Sequence, residues 1–302
     1  MSWQATLSGW LNRRLLRPAF ARAGLPHPGR ARYARLSRWS FRAPPLSLFQ
    51  RGEVGGVPGL WVRNRARDEG VILYLHGGAY VIGSPETHRA MLAEIGLRCH
   101  LPVFAPDYRL APEHPFPAAF NDAVAVWEGL LARGFRPERI VIGGDSAGGG
   151  LALALLAHVL EGGVRPAGLF AFSPWTDLTL TGASLVTNAA REQVLPAHRL
   201  TEVRSLILGG ARPGEANDPR LSPLHAVYRS PPPVLIHVAE SEILRDDALR
   251  MRSRLPNAEI RLAGDLVHVW PLLHNWLPEA RETLDQTGRF IRSCLLRSSG
   301  ES

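Results

Sequence analysis

Arg139-Ile-Val-Ile-Gly143 runs directly into Gly144-Asp-Ser146-Ala-Gly-Gly149 and then into Leu151–Leu160. The first five residues predict a buried strand and the next six a cramped turn. The last ten are apolar nearly all round, so they predict a central helix. A serine at a sharp strand-to-helix corner is held with its oxygen projecting, and glycines on either side permit the close backbone approach. The spacing Gly144-x-Ser146-x-Gly148 is weak alone, because a glycine-rich turn kept for close packing gives the same letters. Its place between strand and helix is what sharpens it.

Outward from this corner the same alternation repeats. Val71-Ile-Leu-Tyr-Leu75 is a continuous apolar run, as expected of a strand covered on both faces. Leu101–Ala105, Leu169–Phe172, Val234–Val238 and Ala258–Leu262 predict further strands, and a helix is predicted from Pro278 to about Arg297, with Pro278 in its first turn. Strands alternating with helices imply an α/β fold with a mostly parallel central sheet and helices on both faces. Two stretches break the alternation, residues 1 to about 45 and about 184–218. The second is polar and helical in pattern. Separate in sequence, they are expected to fold together as a helical cap over one end of a single domain spanning 1–302.

Composition supports one domain with a sizeable core: 302 residues, 45% apolar and 21% charged. No apolar run reaches the roughly 18–20 residues of a membrane-spanning helix. Cys99 and Cys294 have no metal-ligand spacing. A free buried pair in a reducing cytoplasm is the simplest reading, although sequence leaves a disulfide between them open. The net charge of +8 is unevenly spread. All 35 basic residues are arginine, and residues 1–67 hold 13 of them against Glu53 alone, a balance of +12. The remainder is mildly acidic at −4, which argues against a nucleic-acid partner. Trp3, Leu7, Trp10, Leu11 and Leu15 recur at helical spacing beside Arg13, Arg14 and Arg17. Such a pattern suits an amphipathic helix packed on the protein, a helix in weak contact with a membrane surface through residues 1–20, or an arginine-rich targeting peptide. The packed helix is the preferred reading, and export by a secretory signal is not expected.

After the strand Val71–Leu75 comes His76-Gly77-Gly78-Ala79-Tyr80. Acyl transfer requires stabilisation of a tetrahedral oxyanion, and N–H groups of a glycine-rich loop can point at it unobstructed. Gly77 and Gly78 are the expected donors, with the N–H of Ala147 as a third. Alone, the loop would be an ordinary turn; paired with the serine corner it gains meaning.

Six segments occur in register: HGGAYVIGS (His76–Ser84), DYRLAPEHPFPAAFNDA (Asp107–Ala123), GDSAGG (Gly144–Gly149), DPRLSPL (Asp218–Leu224), ESEILRDDA (Glu240–Ala248) and LVHVWPLL (Leu266–Leu273). Over about residues 57–295 the chain thereby resembles the hormone-sensitive-lipase-like branch of the α/β-hydrolase fold, the bacterial family IV esterases. Ala79 stands where that family often has a third glycine. The family's chain order is serine, acid, histidine. That order and the motif point to His268 as the base, with His274 the nearest competitor. His76 is expected to stabilise its loop and His237 to pack in a strand. The acid motif aligns on Glu242-Ile-Leu-Arg-Asp-Asp247, giving Glu242 the catalytic place and Asp246 the second, unless Asp246 caps the helix that follows. Asp145 is expected to tie the corner to the HGG loop, and Arg109 and Glu113 to form buried polar scaffolding.

The resemblance implies a serine carboxylesterase acting on a small-molecule acyl ester of short to medium chain. Ser146 would be nucleophile, His268 base and Glu242 its orienting acid, with no metal or organic cofactor. An amidase, lactonase or peptidase on the same scaffold is the alternative. A non-catalytic binding protein fits less well, because such relatives lose the histidine. Relatives also pair as homodimers through an edge strand.

Overall fold

The computed structural model describes residues 2–22, 27–63, 70–210 and 214–300. Residues 1, 23–26 and 211–213 of the two expected cap stretches lie outside them. Eight strands form one sheet: β1 (Leu48–Val54), β2 (Val57–Arg63), β3 (Val71–Leu75), β4 (Val103–Pro106), β5 (Ile140–Asp145), β6 (Gly168–Phe172), β7 (Val234–Ala239) and β8 (Glu259–Ala263). Their spatial order is β1-β2-β4-β3-β5-β6-β7-β8, parallel from β4 to β8 and antiparallel at β1 and β2. The helices are α1 (Trp3–Leu11), α2 (Arg17–Arg22), α3 (His27–Ser40), α4 (Pro85–Cys99), α5 (Ala118–Ala132), α6 (Ser146–Glu161), α7 (Ser184–Thr187), α8 (Leu200–Leu208), α9 (Arg245–Arg250) and α10 (Pro278–Gly300). A π-helical turn, Asn12–Leu16, joins α1 to α2.

The period of two explains how β3 and β5 feed two cores at once. Val71, Leu73 and Leu75, with Ile140 and Ile142, face the side covered by α5 and α6. Ile72, Tyr74 and Val141 face the opposite side, against Met91 and Leu92 of α4 and Leu284 and Ile291 of α10. Both sides exclude water, so these strands need no polar face. Cys99 and Cys294 are buried thiols in the second core, not joined by a disulfide, and burial pushes both up to about 12.

The β1–β2 hairpin was not among the expected strands. It turns at Gly55-Gly56, both with positive φ, between the paired residues Val54 and Val57. A Gly-Gly pair is a hairpin signal, but β1 is mostly exposed and β2 carries Pro58 and Gly59, so neither shows a clean alternation. Helices α1–α3 and the stretch holding α7 and α8 stand outside the sheet alternation and are joined to each other, with Arg17 Nη2–H donating to Ala189 O at 2.7 Å. The preferred packing of the N-terminal helix is corrected. Ala5 and Gly9 face the body, whereas Trp3, Leu7, Trp10, Leu11 and Leu15 are exposed. Small residues let the helix backbone come close, and that proximity leaves no room for its large side chains.

Candidate active site

Ser146 is the first residue of α6 and directly follows β5, with φ at +52°. The sharp corner depends on its glycines. A Cβ on Gly148 would stand 2.2 Å from Leu75 O, and one on Gly144 would stand 2.3 Å from Gly148 O. Backbone occupies both places, so neither side chain could be accommodated.

Ser146 Oγ–H donates to His268 Nε2 at 2.9 Å, and His268 Nδ1–H donates to Glu242 Oε2 at 2.7 Å. An ionised carboxylate only accepts, so Glu242 puts the ring proton on Nδ1 and leaves Nε2 free to take one from serine. His268 occupies the loop after β8 and precedes Val269, whose φ of +53° turns the chain back toward the body. Glu242 lies in the loop after β7 and is 1% exposed. Its Oε1 accepts the Ala239 N–H and the Ser173 Oγ–H, each at 2.8 Å. Burial raises the Glu242 pKa, and the hydrogen bond and charge of His268 oppose the rise without cancelling it. Burial alone would lower the His268 pKa. The hydrogen bond and charge of Glu242, followed by the charges of Glu192 and Asp145, more than offset it and hold the ring above its usual 6.5.

Three supporting residues were absent from the sequence reading. Ser173 also accepts the Val269 N–H at 3.3 Å, linking the acid's loop to the histidine's. Asn188 Nδ2–H donates to the carbonyls of Glu240 and Glu242, both at 2.8 Å. Glu192 is buried and accepts N–H groups from Gln193, Val194 and Leu195 through Oε1 and from Ile243 through Oε2. Glu192 and Asn188 lie in a stretch whose polar letters signal only a solvated helix.

The HGG loop requires a correction at Gly77. Its N–H donates to Asp145 Oδ1 at 3.0 Å, so that donor is already engaged. Asp145 also accepts from Tyr74 Oη–H at 2.8 Å and lies 3.3 Å from His88 Nε2, and thus ties loop to corner as expected. Among the described residues the N–H groups of Gly78, Ala79 and Ala147 have no acceptor. Ala79 adopts φ of +54° without being glycine.

The remaining candidates separate cleanly. His274 is buried with Nε2 3.3 Å from Arg42 O, away from Ser146. His76 Nδ1–H donates to Gly77 O at 2.8 Å, and burial lowers this imidazole's pKa to about 3, so it braces its loop as a neutral ring. His237 packs inside β7 and is likewise lowered to about 3 by burial. Asp246 accepts the Ser184 N–H at 2.9 Å and pairs with Arg245; it lies within α9 and does not cap it. Arg109 and Glu113 are half-exposed, not buried, and pair with Asp122 and Arg30 respectively.

Above Ser146 and His268 opens a cavity of about 440 Å³. Its floor includes Gly78 and Ala79, and its walls come from both stretches outside the sheet alternation, including Tyr33 and Leu36 on one side and Leu195 and Leu200 on the other. The arrangement offers a hydroxyl aligned with a base, a base oriented by a carboxylate, and free N–H donors beside an apolar chamber.

A family model described as the alpha/beta hydrolase fold matches residues 72–272. An acetyl-hydrolase of Streptomyces hygroscopicus is 39% identical over 245 residues, covering 80% of this chain and 81% of its own. An esterase of Acinetobacter venetianus is 35% identical over 246 residues and covers 80% of both chains. The crystal structure of an esterase from the bacterial hormone-sensitive lipase family superposes with a TM-score of 0.89 at 37% identity, over 98% of this chain and 99% of its own.

Proposed function

The chain belongs to the α/β-hydrolase family, in its hormone-sensitive-lipase-like esterase branch, and is a carboxylic ester hydrolase; from that premise we propose that it cleaves short to medium acyl esters through an acyl-enzyme on Ser146. His268 takes the Ser146 proton as the oxygen attacks the ester carbonyl, and Glu242 stabilises the imidazolium that forms. The oxyanion is received by the N–H groups of Gly78, Ala79 and Ala147, at the start of α6 where the helix dipole favours negative charge. The imidazolium then protonates the departing alcohol. Water enters, gives its proton to His268 and attacks the acyl carbon, returning the free acid and Ser146. The two stretches that flank the cavity act as one cap, and its finite chamber is what limits acyl length.

The observation that carries this reading is the hydrogen-bonded line Ser146–His268–Glu242, at 2.9 and 2.7 Å, ending beside unoccupied N–H donors. Its test is Ser146→Ala against p-nitrophenyl butyrate, with organophosphonate labelling of the parent chain read by peptide mass. The variant should lose at least about 10⁴ in kcat, and the label should sit on Ser146. A variant hydrolysing at the parent rate, or a label elsewhere, overturns the assignment.

A further inference from the structure

Helix α1 meets the body through Ala5 and Gly9, with Asn12 just beyond its end on the same side. A Cβ on Gly9 would stand 2.5 Å from Gln193 Oε1, so this contact is close. By helical spacing Trp3, Leu7 and Trp10 fall on the far side. They are 72%, 47% and 52% exposed, and Leu15 in the π-helical turn is 63% exposed. Scattered exposed apolar residues are ordinary on protein surfaces. Four within about four turns of one helical run, two of them tryptophans, form an unpartnered apolar face. Exposed Arg13 and Arg14 border it, the Arg14 guanidinium 5.5 Å from the Trp10 ring.

We propose that this face docks the protein on an anionic lipid surface. Charge selects the occupant. Residues 2–22 carry Arg13, Arg14, Arg17 and Arg22 and no acid, so two copies meeting through this face would bring like charge together. Anionic headgroups would instead neutralise the arginines while the indole rings settle at the headgroup–acyl boundary. Among the described residues no helix is long and apolar enough to cross a membrane, so the contact lies in the interface plane. The helix also borders the cavity. Asn12 lines it, and Ser2 N–H and Oγ–H donate to Glu279, three residues past Trp276. Trp276 and Leu36, both exposed, stand at the cavity rim.

The test is co-sedimentation of the full chain with extruded vesicles of phosphatidylcholine alone or mixed 3:1 with phosphatidylglycerol, alongside hydrolysis of p-nitrophenyl butyrate in free solution. The parent chain should sediment with the anionic vesicles and lose binding as salt is raised. Arg13→Gln/Arg14→Gln should bind roughly 25-fold more weakly, about fivefold for each arginine near an anionic surface. Trp3→Ser/Leu7→Ser/Trp10→Ser should remain in the supernatant. Both variants should hydrolyse the soluble ester at the parent rate, which separates failure of docking from failure of the fold or of the hydrolase reading. A parent chain that does not sediment with anionic vesicles overturns the proposal, as do variants that bind like the parent. So does light scattering that finds a parent dimer dissolved by the tryptophan variant while vesicle binding persists.

Discussion

Glu242→Gln exchanges a carboxylate for an amide of the same shape, and the hydrogen bonds around it dictate which way the amide must face. Oε1 accepts two protons, from the Ala239 N–H and the Ser173 hydroxyl. An amide nitrogen cannot accept either, so the glutamine oxygen keeps that place and its NH₂ turns toward His268 Nδ1. That ring nitrogen must then become an acceptor, which moves the imidazole proton to Nε2. Nε2–H now points at Ser146 Oγ, 2.9 Å away, and the base is occupied by its own proton. The same exchange of acid for amide in a serine protease lowers kcat about 10⁴-fold with the geometry intact, equivalent to about 5.5 kcal/mol in the barrier. Folding should be unharmed, because all three hydrogen bonds survive with one reversed and a buried charge is removed. The assay is kcat for p-nitrophenyl butyrate at pH 8 beside a thermal melt, with Asp246→Asn as the companion variant. Asp246 is held by Ser184 and Arg245, so its exchange should change kcat by less than about threefold, about 0.65 kcal/mol in the barrier. A fall of less than about tenfold for Glu242→Gln, or an equal fall for Asp246→Asn, would refute the tautomer argument.

Gly77→Ala should be damaging although its own N–H is not an oxyanion donor. The new Cβ would stand 2.1 Å from Asp145 Oδ2, and Asp145 is held by Tyr74 and lies beside His88. Overpacking of this kind costs about 1–3 kcal/mol. Displacing the adjoining donors should lower kcat at least 100-fold, about 2.7 kcal/mol per donor lost; parent-like kcat with a lowered melting temperature would free the loop from that role. The acid limb of kcat/KM should report His268, which must be neutral to take the serine proton. Activity should therefore rise with pH through an inflection above 6.5, the direction in which Glu242, Glu192 and Asp145 hold the ring. Glu192→Gln should move the inflection down, and an inflection that stays put would remove Glu192 from the balance.

The legible features were those with a local physical signature. Val71–Leu75 in β3 and Ile140–Ile142 in β5 are short apolar runs leading into glycine-bearing turns, so a strand covered on both faces is their only economical reading. Ser146 was marked because Gly144 and Gly148 answer to backbone atoms a few residues away or on the neighbouring strand. Glu242 and His268 could not be found this way. They come together across 26 residues of sequence, and only the ordered motifs of the family singled them out from neighbouring acids and histidines. Gly77 was misjudged for a related reason. The loop's letters identify several amides, but which of them is spent on Asp145 is set by a side chain 68 positions away. The amphipathic stripe of α1 was detected correctly and placed the wrong way round. Periodicity locates an apolar face without saying whether protein or something else covers it, and here Ala5 and Gly9 gave the tighter contact.

Glu192 shows how the stretch between β6 and β7 and the proposed triad depend on each other. Glu192 is buried, 1% exposed, and a buried carboxylate needs hydrogen-bond donors in place of water. Here four backbone N–H groups supply what water would. Three belong to the residues that lead into the cavity wall at Val194 and Leu195, and the fourth belongs to Ile243, next to Glu242. The fold thus places a second negative charge behind the first. Burial raises the pKa of Glu242 and the charge of Glu192 adds to the rise, while both charges favour a positive ring at His268. In the proposed mechanism the ring is neutral before serine attack and positive at the tetrahedral intermediate, so an interaction with the positive form is stronger at the transition state than before it. Only such a differential interaction lowers the barrier. On that mechanism, any shift of the cavity wall at Val194 and Leu195 that pulled Glu192 from Ile243 would disturb both the shape of the chamber and the charge behind the base.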